Sequence, residues 1–136
     1  MILPPNTVIA VGPVIIEDGK VLLNRERKVY GVSPWFFPGG EVETYDASLE
    51  NTCRREVQEE MGIDVELVRP LRTIIDKQSN GGVVILAHYL AKRHGEIIQA
   101  PNITEWGWHD IRQLPPNCAP NVHQIISDIL QDNIML

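Results

Sequence analysis

Gly39-Gly40, followed by Arg55-Glu56-Val57-Gln58-Glu59-Glu60-Met61-Gly62-Ile63, is the stretch from which the architecture of this chain can be read. Leu49, Cys53, Val57 and Met61 recur every fourth residue, the spacing of an apolar stripe along a helix. Ser48 before the stripe suits an N-cap and Gly62 after it suits a C-terminal cap, so the pattern predicts a helix over 48–61. Glu56, Glu59 and Glu60 stand at i, i+3 and i+4 and share one arc of that helix. Glu56 and Glu60 also lie beside the apolar stripe, at the rim of the packed face. Three neighbouring carboxylates repel one another, which raises their pKa values unless a cation neutralises them. Magnesium takes oxygen ligands and is usually shared between carboxylates and substrate phosphates. The same acids also fit a solvated face, on which Glu50–Arg54 and Arg55–Glu59 form i,i+4 ion pairs of about 0.3–0.5 kcal/mol each. The adjacent arginine and the double glycine upstream set this cluster apart from an ordinary acidic surface.

Outward from the helix, apolar runs and turn residues mark strands on both sides. Residues 7–16 are a nearly continuous β-branched run, and Gly12-Pro13 inside it predicts a bulge or a sheet edge. Asp18-Gly19 is a hairpin signal, with residues 21–23 as the returning strand. A loop over 28–34 leads to Trp35-Phe36-Phe37, a short aromatic strand ending at Pro38. Residues 64–76 read as a strand segment broken at Pro70, 79–82 as a turn, and 83–91 and 105–109 as further strands. Val122, Ile125, Ile126, Ile129 and Leu130 predict a last helix from about Asn121. Strands, a helix, more strands and a helix imply a layered α/β domain with a mixed sheet.

The 136 residues suit one domain, 1–136, and show no repeat or long linker. Net charge is -6 without any basic run, which argues against duplex nucleic acid or an anionic membrane as partner. Half of the 18 acidic residues fall between Glu41 and Glu66. Cys53 and Cys118 match no zinc spacing and read as free thiols in a reducing compartment. No leader pattern opens the chain, and no segment approaches the ~20 apolar residues of a membrane span, so a cytoplasmic location is expected.

The deciding stretch resembles the Nudix box, G-x5-E-x7-R-E-U-x-E-E-x-G-U with U apolar. Residues Arg55 to Ile63 match its second half at every specified position. Phe37-Pro38-Gly39-Gly40, with Val42-Glu43 after it, is similar to the usual entry of the family. The early hairpin, the Trp-rich strand and the closing helix fit the family order over nearly the whole chain. The resemblance implies a Nudix-type α/β/α sandwich with a mixed central β-sheet. One departure stands out. Five residues after Gly40 lead to Asp46, and seven more lead to Arg54 instead of Arg55. Asp46 therefore occupies the first acidic slot, whereas counting back from Arg55 would place Ala47 there. In the family this acid mainly braces the loop.

Residue by residue, the resemblance implies that Glu56, Glu59 and Glu60, with the Gly39 carbonyl, hold Mg2+, for which Mn2+ can substitute. Arg55 would orient the carboxylates. Glu59 or Glu56 would take the proton of the attacking water, unless an acid on a later loop does so. Glu105 is the candidate there, equally readable as a rim residue on an edge strand, and Glu96 is a weaker one. Among Arg25, Arg27 and Lys28, a basic residue would reach the nucleotide, or all three form a solvated strand end. Phe37 would lie against the base. Asn121 would read a base edge, or serve as the N-cap of the last helix. His88, His94, His109 and His123 show no metal spacing and receive no role. The implied activity is cleavage of a phosphoanhydride in a nucleoside diphosphate derivative. A compact chain of this kind is expected to be a MutT-like (deoxy)nucleoside triphosphate pyrophosphohydrolase. Hydrolysis of nucleotide conjugates and a non-catalytic nucleotide-sensing module remain the alternatives. The partner is a small nucleotide. The chain is a monomer or a homodimer, with apolar residues 134–136 packing in the core or on a second subunit.

Overall fold

In the computed structural model, which describes residues 3–132, the first apolar run becomes β1 (Thr7–Glu17). It pairs in parallel with β7 (Val83–His94) from Thr7↔Val83 to Ile15↔Ala91. Its other side is divided. Ala10 and Val11 pair with β4 (Gly40–Glu41), and Ile16 and Glu17 pair with β2 (Lys20–Lys28). Between these two pairings the sheet forks. The Ile9 carbonyl accepts from Val42 N–H on the β4 side at 2.8 Å, so odd-numbered residues turn their backbone groups that way. Pro13, which has no N–H to offer, therefore faces the fork, a local edge of the kind prolines require.

The β2 strand carries β8 (Ile103–Asp110) and the short β3 (Gly31–Val32), both antiparallel. The outer edge of β7 carries β5 (Asp64–Pro70) and β6 (Ile74–Lys77), separated at the break after Pro70. The sheet is mixed, with the order β3-β2-β1-β7-β5. The expected strand at Trp35–Phe37 is not a ladder. Phe36 exchanges backbone bonds with Asn24, while Trp35 bonds to Asn117 and Ala119. Its backbone is shared between two partners, and Pro38 ends the segment before any pairing can extend.

Helix α1 (Leu49–Met61) is capped as its sequence implies. Ser48 Oγ accepts from Asn51 N–H at 3.0 Å, and Gly62 N–H returns to the Gln58 carbonyl. Cys53, Val57 and Met61 are buried, but Leu49 in the first turn remains 37% exposed, and Thr52 takes the buried position instead. Helix α2 (Pro120–Gln131) begins one residue before Asn121, with Pro120 in the first turn and Ala119 as the N-cap. Asn121 is therefore not the cap.

Alternation distributes the strand side chains to two cores. Ile15, Leu22 and Ala91 pack with Val57 and Met61 of α1. Val14, Val21 and Leu23 pack with Val122, Ile125, Ile126 and Ile129 of α2. One helix covers each face, which is the α/β/α sandwich with a mixed central sheet expected from the sequence. Residues 134–136, expected to pack in the core or on a second subunit, lie outside the described residues. Among the described residues no helix is long and apolar enough to cross a membrane. Because Met61 is fully buried and Leu49 is not, Met61→Ala should cost about 2–5 kcal/mol in equilibrium denaturation, and Leu49→Ala much less.

Candidate active site

The loop between Gly40 and α1 is held by one acid. Asp46 Oδ2 accepts from Glu43 N–H at 2.9 Å and from the Thr52 hydroxyl at 2.8 Å. Arg55 grips both of its oxygens, Nε to Oδ1 and Nη2 to Oδ2, each at 2.9 Å. The guanidinium holds the Asp46 carboxyl well below the usual carboxylate range. Arg55 also reaches Glu56 Oε1 at 2.8 Å, Glu59 at 3.3–3.4 Å and the Glu41 carbonyl at 3.1 Å. Asp46 thus fills the bracing position. Ala47 instead gives its N–H to Asn51 Oδ1 at 3.2 Å.

The double glycine lies where β1, α1 and the loop converge. A Cβ at Gly39 would stand 2.2 Å from the Val11 carbonyl oxygen, and the residue adopts φ 144°, which disfavours any other side chain. A Cβ at Gly40 would stand 2.3 Å from the Glu56 carboxylate. Gly39 N–H donates to Glu60 Oε1 at 2.9 Å. Glu60 is only 5% exposed, and its other oxygen, Oε2, accepts no hydrogen bond from the described residues. Burial, reinforced by the neighbouring Glu26 carboxylate, pushes Glu60 well above the ordinary carboxylate range, and the Gly39 N–H opposes this only in part. Glu26 moves the other way: burial would raise it, but hydrogen bonding to Glu60 and to Lys28 lowers it, with Lys28 Nζ at 2.8 Å. Burial raises Glu56 against the pull of Arg55. The Glu59 side chain, at 57% exposure, is the most open of Glu56, Glu59 and Glu60.

Glu26 was not among the residues expected at the site. It stands between Arg25 and Arg27, in a segment read as basic, but strand alternation turns it to the α1 face with Leu22. Glu26, Glu60 and Glu56 offer only oxygens, and the unpartnered Glu60 Oε2 is a buried acceptor without a donor. That donor set fits a hard divalent cation. Among the described residues no three acidic, histidine or cysteine side chains are already drawn together into a metal cage.

A cavity of about 630 Å³ runs from Glu26, Lys28 and Gly39–Glu41 to His88, Asn121 and Gln124. Phe37 lines it and meets the His88 ring edge-on at 5.6 Å between centroids. Phe36 also lines it, under the Lys28 ammonium at 5.7 Å. Asn121 Nδ2 lies 3.0 Å from His88 Nε2, and His88 Nδ1 lies 2.8 Å from the Arg72 carbonyl oxygen. Arg25, Arg27 and Glu105 are not brought to this lining. Arg25 binds Glu105 at 2.7 Å and the Ser33 carbonyl at 2.9 Å, and stacks 5.7 Å from the Trp35 ring centroid. As an odd-numbered residue of β2 it points away from Glu26, so Lys28 is the basic residue of that segment that reaches the cavity. Glu96 lies exposed in the loop after β7, also outside the lining. A second, shallower depression lies between Arg69–Arg72 and α2, where Arg72 pairs with Asp128 at 2.9 Å, away from the carboxylates of α1.

Residues 6–129 match the model of the NUDIX domain. An oxidized purine nucleoside triphosphate hydrolase of Danio rerio is 32% identical over 60 residues, a match spanning 44% of this chain and 38% of the relative. The crystal structure of a MutT NUDIX hydrolase from Burkholderia pseudomallei superposes with a TM-score of 0.80 at 26% identity, covering 90% of this chain and 98% of the other. The structure of an ADP-ribose pyrophosphatase from Streptococcus suis has a TM-score of 0.72 at 26% identity, covering 94% of this chain and 92% of the other.

Two outcomes test the site geometry. Gly40→Ala should displace the Glu56 carboxylate while leaving the fold intact, seen as an unchanged far-UV spectrum with weakened divalent-cation binding in calorimetry. Glu60 has a folded pKa above its unfolded value, so the proton it holds stabilises the fold at low pH, and that contribution fades as pH rises through and beyond the ordinary carboxylate range. In cation-free buffer, Glu60→Gln should therefore raise Tm at pH 8 and change it little near pH 4. The same variant should lose the Tm increase that added magnesium gives the parent chain.

Proposed function

The chain belongs to the NUDIX domain family, and on that premise we propose that it is a (deoxy)nucleoside triphosphate pyrophosphohydrolase releasing a nucleoside monophosphate and pyrophosphate. The observation that carries this reading is a single cavity with two chemically distinct ends. At one end stand Glu26, Glu41 and the Gly39-Gly40 backbone, with the buried Glu60 behind Gly39, whose N–H it accepts. At the other stand an aromatic ring and an amide, Phe37 and Asn121, suited to the face and edge of a base. The similarity to a triphosphate hydrolase of Danio rerio and to a MutT hydrolase supports the same choice.

In this reading Glu56, Glu59, Glu60 and the Gly39 carbonyl hold Mg2+, with Mn2+ as a substitute, and Glu26 adds negative charge behind Glu60. A cation bound there neutralises phosphate oxygens and lowers the pKa of the attacking water. Arg55 fixes the rotamer of Glu56 at 2.8 Å and touches Glu59 only loosely. Water attacks phosphorus, the anhydride P–O bond breaks, and pyrophosphate leaves with the bonding pair. Glu59 accepts the water proton: it is the most open of the three acids, and Arg55 holds it more loosely than Glu56, at 3.3–3.4 Å against 2.8 Å. Glu105 has no part, because Arg25 neutralises it outside the cavity. Lys28 brings a cation to the rim, and Phe37 packs on the base while Asn121 reads its edge.

The similarity to an ADP-ribose pyrophosphatase supports a second reading, hydrolysis of a nucleotide conjugate. A nucleotide panel with magnesium near pH 8 separates the two by product. Pyrophosphate is expected, whereas two phosphorylated halves from a conjugate would favour the second. Glu59→Gln and Glu60→Gln should each lower kcat by about 10²–10⁴-fold with folding retained. Full activity in both variants, or nucleotide binding without turnover in the parent chain, would overturn the assignment.

A further inference from the structure

His88 is buried in the middle of β7 at 3% exposure and belongs to no metal-like cluster, yet both of its ring nitrogens are engaged. Nδ1 lies 2.8 Å from the Arg72 carbonyl, which can only accept, so Nδ1 carries the proton. In a neutral imidazole the other nitrogen is then an acceptor. Nε2 therefore takes a hydrogen bond from the group 3.0 Å away, and that group is the amide nitrogen of Asn121. An asparagine amide can usually turn over and exchange its donor and acceptor ends. Here it cannot, because flipping it would set two acceptors against each other.

The geometry points to His88 as a positioning residue that locks the Asn121 amide with Oδ1 as its free acceptor in the cavity, so that the bound ligand must present an N–H donor to it. Three further observations agree. Asn121 lines the cavity, and its Oδ1 receives no hydrogen bond from the described residues. The Phe37 ring edge lies against the His88 ring, which limits its rotation. Burial holds the His88 pKa below its usual value, outweighing the carbonyl of Arg72, so the ring stays neutral near pH 7. Gln124 lines the cavity one turn further along α2 but has no fixed partner among the described residues, so its amide adapts to either polarity and discriminates little. Arg72 itself is anchored on α2 by its pair with Asp128, which fixes the carbonyl that sets the tautomer.

This inference rests on the proposed nucleotide site, and its test separates the two. Nitrogen-15 spectra of the ligand-free chain should show His88 as the Nδ1–H tautomer, with one slowly exchanging Asn121 side-chain proton. The opposite tautomer would overturn the lock whatever the substrate. Binding is then measured by calorimetry on the Glu59→Gln variant, whose turnover is slowed, with calcium, an oxygen-liganded divalent cation, in place of magnesium. ATP, GTP and CTP are compared with purine riboside triphosphate and 2-pyrimidinone riboside triphosphate, whose bases carry no N–H. At least one amino-bearing nucleotide should bind about tenfold or more tightly than its unsubstituted counterpart, because a site built around a hydrogen bond rejects analogues that cannot make it. His88→Gln, which keeps an acceptor near the Nε2 position, should preserve that ratio. His88→Asn, which keeps only the donor to Arg72, should collapse it towards one. Equal ratios in both variants would reduce His88 to a structural residue and overturn the proposal. Failure of every nucleotide to bind would overturn the nucleotide site, and with it the ligand half of this inference.

Discussion

Burial of the Glu60 carboxylate is the constraint to which the rest of the site is fitted. Helix α1 docks on the sheet through Cys53, Val57 and Met61, and that same docking carries Glu60 out of water. An ionised carboxylate in such a place is costly unless it is paired or hydrogen-bonded. Among the described residues a single backbone donor, Gly39 N–H, reaches Glu60, and none reaches Oε2. The protein then sets a second carboxylate, Glu26, on the facing strand. These choices keep a proton on Glu60 in the bare fold and make sense as a site that becomes charged when a cation takes the proton's place. The glycines follow from the same constraint. The donor reaches Glu60 only because neither Gly39 nor Gly40 carries a Cβ that would strike Val11 or Glu56.

Arg55 is the complementary device. Its guanidinium joins four acceptor groups from three parts of the chain: the loop acid Asp46, the helix acids Glu56 and Glu59, and the Glu41 carbonyl. The pairs differ in worth. The contact with Glu59 is long and open to solvent, so it contributes little. The bidentate grip on Asp46, whose side chain is 1% exposed, is the directional one, and it ties the loop to the helix.

How far the sequence could be read depended on whether each signal was local. The helix was legible because its apolar period, its caps and its acids all lie within one short segment. The layered α/β arrangement with a mixed sheet was legible for a similar reason, since alternation and turn residues act over a few positions, whereas the α/β/α sandwich was implied by the family resemblance. Asp46 could be preferred to Ala47 from the sequence, but not its partners, because the hydrogen bonds to Glu43, Thr52 and Arg55 are created only by the folded loop. Glu26 was hidden by its neighbours: three cations within four residues suggested a basic strand end, although a strand separates adjacent residues to opposite faces. The same effect took Arg25 and Glu105 away from the cavity as a mutual pair. Asn121 was left between cap and base reader, and the helix decided against the cap by starting at Pro120, which makes Ala119 the N-cap.

The fork in the sheet explains how the two ends of the cavity come to share one space. In a continuous ladder, β2 would run beside β1 along its whole length, and the α1 and α2 faces would be sealed from each other. Here β1 passes from β4 to β2 with Pro13 at the gap, and the segment carrying Phe37, Pro38 and Gly39 threads past it. The Pro38 carbonyl comes so close to Gly12 that a Cβ there would lie 2.5 Å from it. Phe37 is thereby turned to the α2 core, while Gly39, two residues on, meets Glu60 of α1. A short non-ladder segment thus links the hydrophobic end of the cavity to its acidic end. A regular strand at 35–37 could not do this, because its pairing would close the fork. The failure of those aromatic residues to form a ladder is therefore part of how the site is built.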